Sequence, residues 1–195
     1  RDWSSDVCSS DLYRNPSPVT ALEFSADGKN LAWGDSSGEL RELPYRLRTE
    51  DIAPQVIMRG ISNAVITVIK GVPSQPGDGN LARWITSSYD GSVRYWNPQG
   101  KSRLLFGSMG PVLALDVVVR EANGQSIEQE ASSTEMVVAV GDRRQLVYRT
   151  LPVSVDKPRV PSATDAPERE VSADEKWYAA DLSRNGNRVL LGGKD

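Results

Sequence analysis

A strand–turn–strand series recurs along this chain, and its period is the strongest restriction on what the chain can fold into. Val19-Thr20-Ala21-Leu22-Glu23-Phe24 leads into the turn Ser25-Ala26-Asp27-Gly28-Lys29, then Asn30-Leu31-Ala32-Trp33, a second turn Asp35-Ser36-Ser37-Gly38, and Glu39-Leu40-Arg41-Glu42-Leu43. Short apolar runs separated by Asp-Gly and Ser-Gly turns read as an antiparallel meander. The series returns through Val65–Ile69, Ala82–Ser87 and Ser92–Trp96, and again through Val112–Val119, Met136–Val140 and Gln145–Arg149. A fourth copy begins at Trp177–Leu182, turns at Ser183-Arg184-Asn185-Gly186-Asn187 and enters Val189–Gly193. Aligning the second turns puts Gly38, Gly91 and Arg144 in register, each 53 residues after the one before. A lone meander of this size cannot bury both of its faces, so the copies must stack on one another. Leu22, Phe24, Leu31, Val65, Val68, Trp84, Val112, Leu115 and Val138 are expected to fill the layers between them.

Two stretches carry a family resemblance. Ser25-Ala26-Asp27-Gly28-Lys29 resembles the first turn of a WD repeat, and Ser87-Ser88-Tyr89-Asp90-Gly91-Ser92-Val93-Arg94-Tyr95-Trp96-Asn97 resembles its second half, with Asn97 where the family has Asp. The resemblance spans residues 17–195, but only the second copy keeps the terminal Trp; Leu43 and Arg149 stand at the matching places. No copy has the family's Gly-His pair, so its Asp-His-Ser-Trp network cannot be assembled. The resemblance implies an all-β fold: a partial β-propeller of three four-stranded antiparallel blades, near 17–60, 61–107 and 108–172, plus the start of a fourth over 173–195. It also implies a non-catalytic scaffold that binds other proteins, in prokaryotic relatives as the C-terminal sensor of a larger signalling protein. The alternative is a fragment of a propeller enzyme or of a periplasmic propeller with a quinone cofactor.

Repeats of this kind usually occupy about 40–45 residues, and here the excess sits in Pro44–Pro54, Val72–Asn80, Arg120–Thr134 and Pro152–Pro167. With the strands of a blade lettered a to d, these are all a–b or c–d connections, which leave an antiparallel blade at one end. The b–c turns, at the other end, stay tight. The residues expected to meet a partner lie near those turns. Trp33 aligns with Thr86 and Ala139 and reads either as a recognition aromatic or as filler between blades. Tyr89 stands in the second b–c turn, and Arg143 and Arg144 place two cations in the third. Asp27, Asp35, Asp90 and Asp142 read as turn-closing carboxylates rather than calcium ligands. Glu168-Arg169-Glu170 and Asp174-Glu175-Lys176 read as a solvated link.

Residues 1–12, Arg-Asp-Trp-Ser-Ser-Asp-Val-Cys-Ser-Ser-Asp-Leu, match codon for codon the translated end of a common short-read sequencing adapter. They are expected to be an artefact, disordered and outside the fold. They hold one Arg, three Asp and the single cysteine, Cys8, so without them the formal charge of −3 becomes −1. That balance offers no field for nucleic acid or an anionic membrane, and it leaves no thiol for a disulfide, a nucleophile or a metal. Histidine is absent throughout, which removes the commonest general base and metal ligand. No catalytic residue, cofactor or metal ligand is therefore assigned, and no run reaches the roughly 20 apolar residues of a membrane span. The expected setting is the cytoplasm, with other proteins as partners, and the open ends of the arc are expected to make the chain self-associate. Deleting residues 1–12 is expected to leave the thermal midpoint unchanged; a drop of several degrees by calorimetry would show that they dock on the fold.

Overall fold

The computed structural model describes residues 14–44, 55–59, 64–73, 82–107, 110–121, 133–141, 145–152, 169–172, 176–184 and 188–194. Every element among them is a β-strand, and every pairing is antiparallel. Sheet 1 is formed by β1 (Val19–Phe24), β2 (Asn30–Asp35), β3 (Glu39–Pro44) and β4 (Gln55–Arg59). Sheet 2 holds β5 (Ile66–Val72), β6 (Arg83–Ser88), β7 (Val93–Trp96) and β8 (Ser102–Phe106). Sheet 3 holds β9 (Val112–Glu121), β10 (Ser133–Gly141), β11 (Gln145–Pro152) and β12 (Arg169–Ser172), and sheet 4 pairs β13 (Lys176–Leu182) with β14 (Val189–Lys194). In each sheet the strands lie side by side in chain order. The first strands stand next to one another, β1 against β5, β5 against β9 and β9 against β13.

The period seen in the sequence is repeated in turn geometry. Gly38 and Gly91 both have φ of 85°, a left-handed conformation that glycine adopts without steric cost. Each donates its N–H to the residue three back, Gly38 to the Asp35 carbonyl and Gly91 to the Ser88 carbonyl, at 3.1 Å. The next tie is shared as well: Ser36 N–H reaches the Pro18 carbonyl and Tyr89 N–H the Val65 carbonyl, each at 2.9 Å. Both of these b–c turns are thereby anchored to the residue that precedes their own sheet's first strand. The first turns of sheets 1 and 4 also match. Ser25 and Ser183 each accept, on the side-chain oxygen, the N–H of the residue five further on, Asn30 and Arg188, at 2.9 Å.

A second regularity lies in the first strands. Val19 pairs with Asp35 and Ala21 with Gly34, leaving Thr20 as an extra residue; Thr67, Leu113 and Tyr178 are skipped in the same way at the same place in β5, β9 and β13. One extra residue shifts the alternation of side chains, so positions three apart come to the same face. Ile66 and Ile69 therefore both enter the layer with Ala32 and Leu40 of sheet 1, and Val112 and Leu115 the layer with Ile85 and Val93 of sheet 2. Trp177 and Ala180 pack likewise with Ala114 and Val118 of sheet 3.

Several expectations are corrected. Leu22 and Phe24 do not fill a layer: they are 61% and 48% exposed, because they lie on the face of sheet 1 turned away from sheet 2, and no described sheet covers it. Leu31, Val65 and Val68 are half-buried, Trp84, Val112 and Leu115 are buried, and the Val138 side chain lies outside the described residues. Arg169–Ser172 is not a link but strand β12, paired with β11; its charges suit a strand at the edge of a sheet. Strands β9 and β10 also run further than their apolar cores, to Glu121 and from Ser133. Residues 1–12 and most of the four long connections lie outside the described residues.

Sheets 1 and 2 approach closely at two glycines. A Cβ on Gly71 would stand 2.8 Å from the Phe24 carbonyl oxygen and 2.9 Å from the Ala26 nitrogen, and one on Gly34 would stand 2.5 Å from Ile66 Cγ2. The neighbours of Gly71 are backbone and cannot swing aside. Gly71→Ala is accordingly expected to lower stability by about 1–3 kcal/mol, as overpacking does. Gly107→Ala, whose Cβ would meet, among the described residues, only Leu104 Cδ2 at 3.6 Å, should leave it unchanged within error. Denaturant melts of both variants check this, and an unaffected Gly71→Ala would mean that β5 does not press on the turn after β1.

Candidate functional site

The end of the sheets that carries the b–c turns presents its side chains on braced backbone. In sheet 2, Ser88 Oγ donates to the Val65 carbonyl at 3.1 Å, and Asp90 Oδ1 accepts the Ser92 N–H at 2.9 Å. Tyr89, between them, is 59% exposed. Its backbone N–H is committed to Val65, so the ring projects from a turn held at both ends. Short polar residues that bond to their own turn make this possible.

The equivalent turn of sheet 1 is built around Asp35, whose carboxylate is fully buried. Oδ1 accepts from Ser37 N–H at 2.9 Å, Ser37 Oγ at 2.6 Å and Glu39 N–H at 3.1 Å, while Oδ2 accepts from Asn15 Nδ2 at 3.0 Å. Burial pushes this carboxyl upward, but the donors from Ser37, Asn15 and Glu39 outweigh it and the net shift is downward from 3.8. Asp27 and Asp90 likewise accept hydrogen bonds within their turns, as turn-closing carboxylates do. Asp142 lies outside the described residues, as do Arg143 and Arg144.

Trp33 is buried, with its indole N–H donated to Asn15 Oδ1 at 3.1 Å. Asn15 thus joins Trp33 and Asp35 in one cluster that closes this end of sheet 1. Thr86 occupies the same position in sheet 2, and there it accepts the Trp96 indole N–H at 2.8 Å. Tyr89 is separate from this buried cluster: the structure does not bring it together with Trp33 as one exposed patch.

Sequence reasoning did not single out a row of ionisable groups across the first strands. Register makes Glu23, Lys70, Asp116 and Asp181 equivalent positions in the four sheets. Lys70 Nζ lies 3.6 Å from Asp116 Oδ1, and Asp116 Oδ2 accepts the Leu182 N–H at 2.7 Å. Asp116 thus ties sheet 3 to both of its neighbours. Burial holds the Glu23 carboxyl above its ordinary 4.5, with Lys70 opposing the shift and Asp116 adding to it. A further buried carboxylate, Glu42, accepts the Trp84 indole N–H from sheet 2 at 3.1 Å. The only signal in the sequence was a charged residue at one fixed place in each apolar strand.

A scan against protein-family models and a search of curated proteins found no match to this chain. Among the described residues, no helix is long and apolar enough to cross a membrane.

Burial raises the Glu42 carboxyl above 4.5, and the Trp84 hydrogen bond only partly offsets it. The native state then holds this proton more tightly than the unfolded chain. The corresponding stability is present below 4.5 and is lost as pH rises through the raised native value. Glu42→Gln keeps an acceptor for Trp84 and removes the titration. It is expected to reduce the loss of stability in the window just above pH 4.5, with Glu23→Gln removing a further part. Denaturant melts across that window check this; an identical slope in the Glu42→Gln variant would show that Glu42 is solvated.

Proposed function

We propose that this chain is an arc of a WD-repeat-type β-propeller and serves as a non-catalytic scaffold for other proteins, with the tight-turn end as its contact surface. The observation that carries this reading is the equivalence of the two described b–c turns, which repeat one backbone geometry at Gly38 and Gly91 while their outward residues differ. A rigid frame with interchangeable tips suits recognition, since an aromatic already fixed by its support loses little freedom when a partner covers it. Tyr89 is the residue of the type that dominates binding energy at such surfaces. In the sequence alignment of the repeats, Arg143 and Arg144 match this turn, which favours a partner with acidic groups beside an apolar pocket. The cytoplasm is the proposed setting, and the contact role fits a sensor within a larger signalling protein.

A photo-crosslinking aromatic amino acid placed at position 89 tests the reading, with the same residue at the exposed Leu104 of β8 as comparison. In extract of the source cells, position 89 is expected to give discrete adducts that position 104 does not. The purified partner should then bind Tyr89→Ala at least tenfold more weakly than the wild type, a loss of about 1.4 kcal/mol. Identical adducts from both positions, or unchanged affinity, would remove the tight-turn end as the contact surface.

A further inference from the structure

We propose that the outer edge of sheet 2 takes up an extended, acidic segment of a partner protein as a fifth strand. This edge lies on β8 and not at the turn of Tyr89, so a failed cross-link at position 89 leaves it standing. Adducts at position 104 would belong to this edge and differ from those at 89.

The order β5-β6-β7-β8 leaves β8 paired on one side only among the described residues. The direction of its free hydrogen-bonding groups follows from the hairpin before it. Asn97 N–H donates to the Lys101 carbonyl at 3.0 Å, so these two form a hydrogen-bonded pair. Along an antiparallel ladder such pairs alternate with pairs that exchange no bond. Trp96 with Ser102 is then a pair of the second kind, Tyr95 with Arg103 one of the first, and Arg94 with Leu104 again of the second. The N–H and C=O groups of Ser102 and Leu104 therefore point away from β7, into the free edge. Donors and acceptors spaced in this way are the template that an added strand uses.

The edge is also held in place. A bulge at Leu105 brings both Leu105 and Phe106 into the layer with Val112 and Leu115 of sheet 3. At the other end Asn97 Oδ1 accepts the Lys101 N–H at 2.8 Å and closes the hairpin. Between these anchors Leu104 is 47% exposed. A strand fixed before its partner arrives loses little freedom on pairing.

Charge selects the occupant. Residues 93–106, which make up β7, the hairpin and β8, hold Arg94, Lys101 and Arg103 and no Asp or Glu. The whole chain carries a formal charge of −3, so these cations are a local reversal of sign. None of the three is in an ion pair among the described residues. Arg103 stands opposite Tyr95 on one face of the sheet, and Leu104 stands opposite Arg94 on the other. A strand laid along β8 thus fits with an acidic side chain beside Arg103 and an apolar one beside Leu104, since matched cross-strand neighbours are stabilising. A second copy of β8 is a poor occupant, because Lys101 and Arg103 would meet like charges.

The probe is a short, capped, fluorophore-labelled peptide of alternating Glu and Val, with anisotropy on the full chain as the readout. It should bind about tenfold or more tightly than a peptide of alternating Lys and Val, because like charges oppose contact. Methylating its Val backbone nitrogens removes the donors that face β8 and should weaken binding by about tenfold. Ser102→Pro removes an outward N–H from an edge strand, where proline is tolerated, and should weaken binding to a similar degree. Arg103→Glu should shift the preference toward the Lys peptide. Absence of binding, equal binding by the methylated peptide, or binding that either folded variant leaves unchanged would each overturn the proposal. A single-stranded oligonucleotide that displaces the peptide and binds more tightly would overturn it too, assigning the cations to nucleic acid. Circular dichroism verifies folding; where Ser102→Pro is not folded, Arg103→Glu and the methylated peptide decide.

Discussion

The extra residue in each first strand is the feature on which the stacking depends. Side chains of an unbroken strand alternate between faces, so one face receives positions an even number apart. Thr20 is the extra residue of β1; by skipping its equivalents Thr67, Leu113 and Tyr178, strands β5, β9 and β13 turn two residues three apart toward the same neighbour. That pair fills the preceding layer while the residues between them remain available for other contacts. Thr20 uses the freedom at once: its hydroxyl donates to the Ile66 carbonyl at 2.6 Å, a bond from sheet 1 to sheet 2. A short meander with two apolar faces has no other way to leave water than through its neighbours, and the bulge positions the contact that does so.

Polar groups then fix which sheet sits where. Trp84 to Glu42, Lys70 to Asp116, and Leu182 N–H to Asp116 each cross a sheet boundary. Their partners hold buried or half-buried charge in place, and removing one partner would leave the other without compensation. The raised Glu23 and Glu42 carboxyls record the cost of that burial. Apolar layers supply the drive to stack, and these crossings supply the register.

Much of the fold was legible in the sequence because turns are written locally. Gly38 and Gly91 need their left-handed backbone whatever surrounds them, and Ser25, Asp27, Asp35 and Asp90 close turns through their own side chains, so the period survived even where the apolar residues drifted. The last strands of the sheets were harder to read: Ser102–Phe106 and Arg169–Ser172 are short, and pairing with β7 and β11 defines them as strands. Leu22 and Phe24 looked like core because apolar residues at strand spacing usually are; the fate of that face depends on what lies beyond sheet 1. At the turns, Tyr89 followed from its place in the motif, whereas the Asn15–Trp33–Asp35 cluster joins residues up to 20 apart and had no local signature. The ionisable row was hidden for the same reason, since its members are more than 40 positions apart and only the stacking aligns them.

Unequal repeats also decide between ways of associating. Copies with exposed sheet faces risk exchanging sheets, so that one copy's sheet 1 takes the place of another's sheet 2, and stacked repeats are prone to such misassembly. Here that exchange is penalised at one position. Glu42 is buried and depends on the Trp84 indole, and the residue at the place of Trp84 in sheet 1 is Leu31, which has no donor to offer. An intruding sheet 1 would leave that buried carboxyl without its indole donor, and an unsatisfied buried polar group costs about 1–3 kcal/mol.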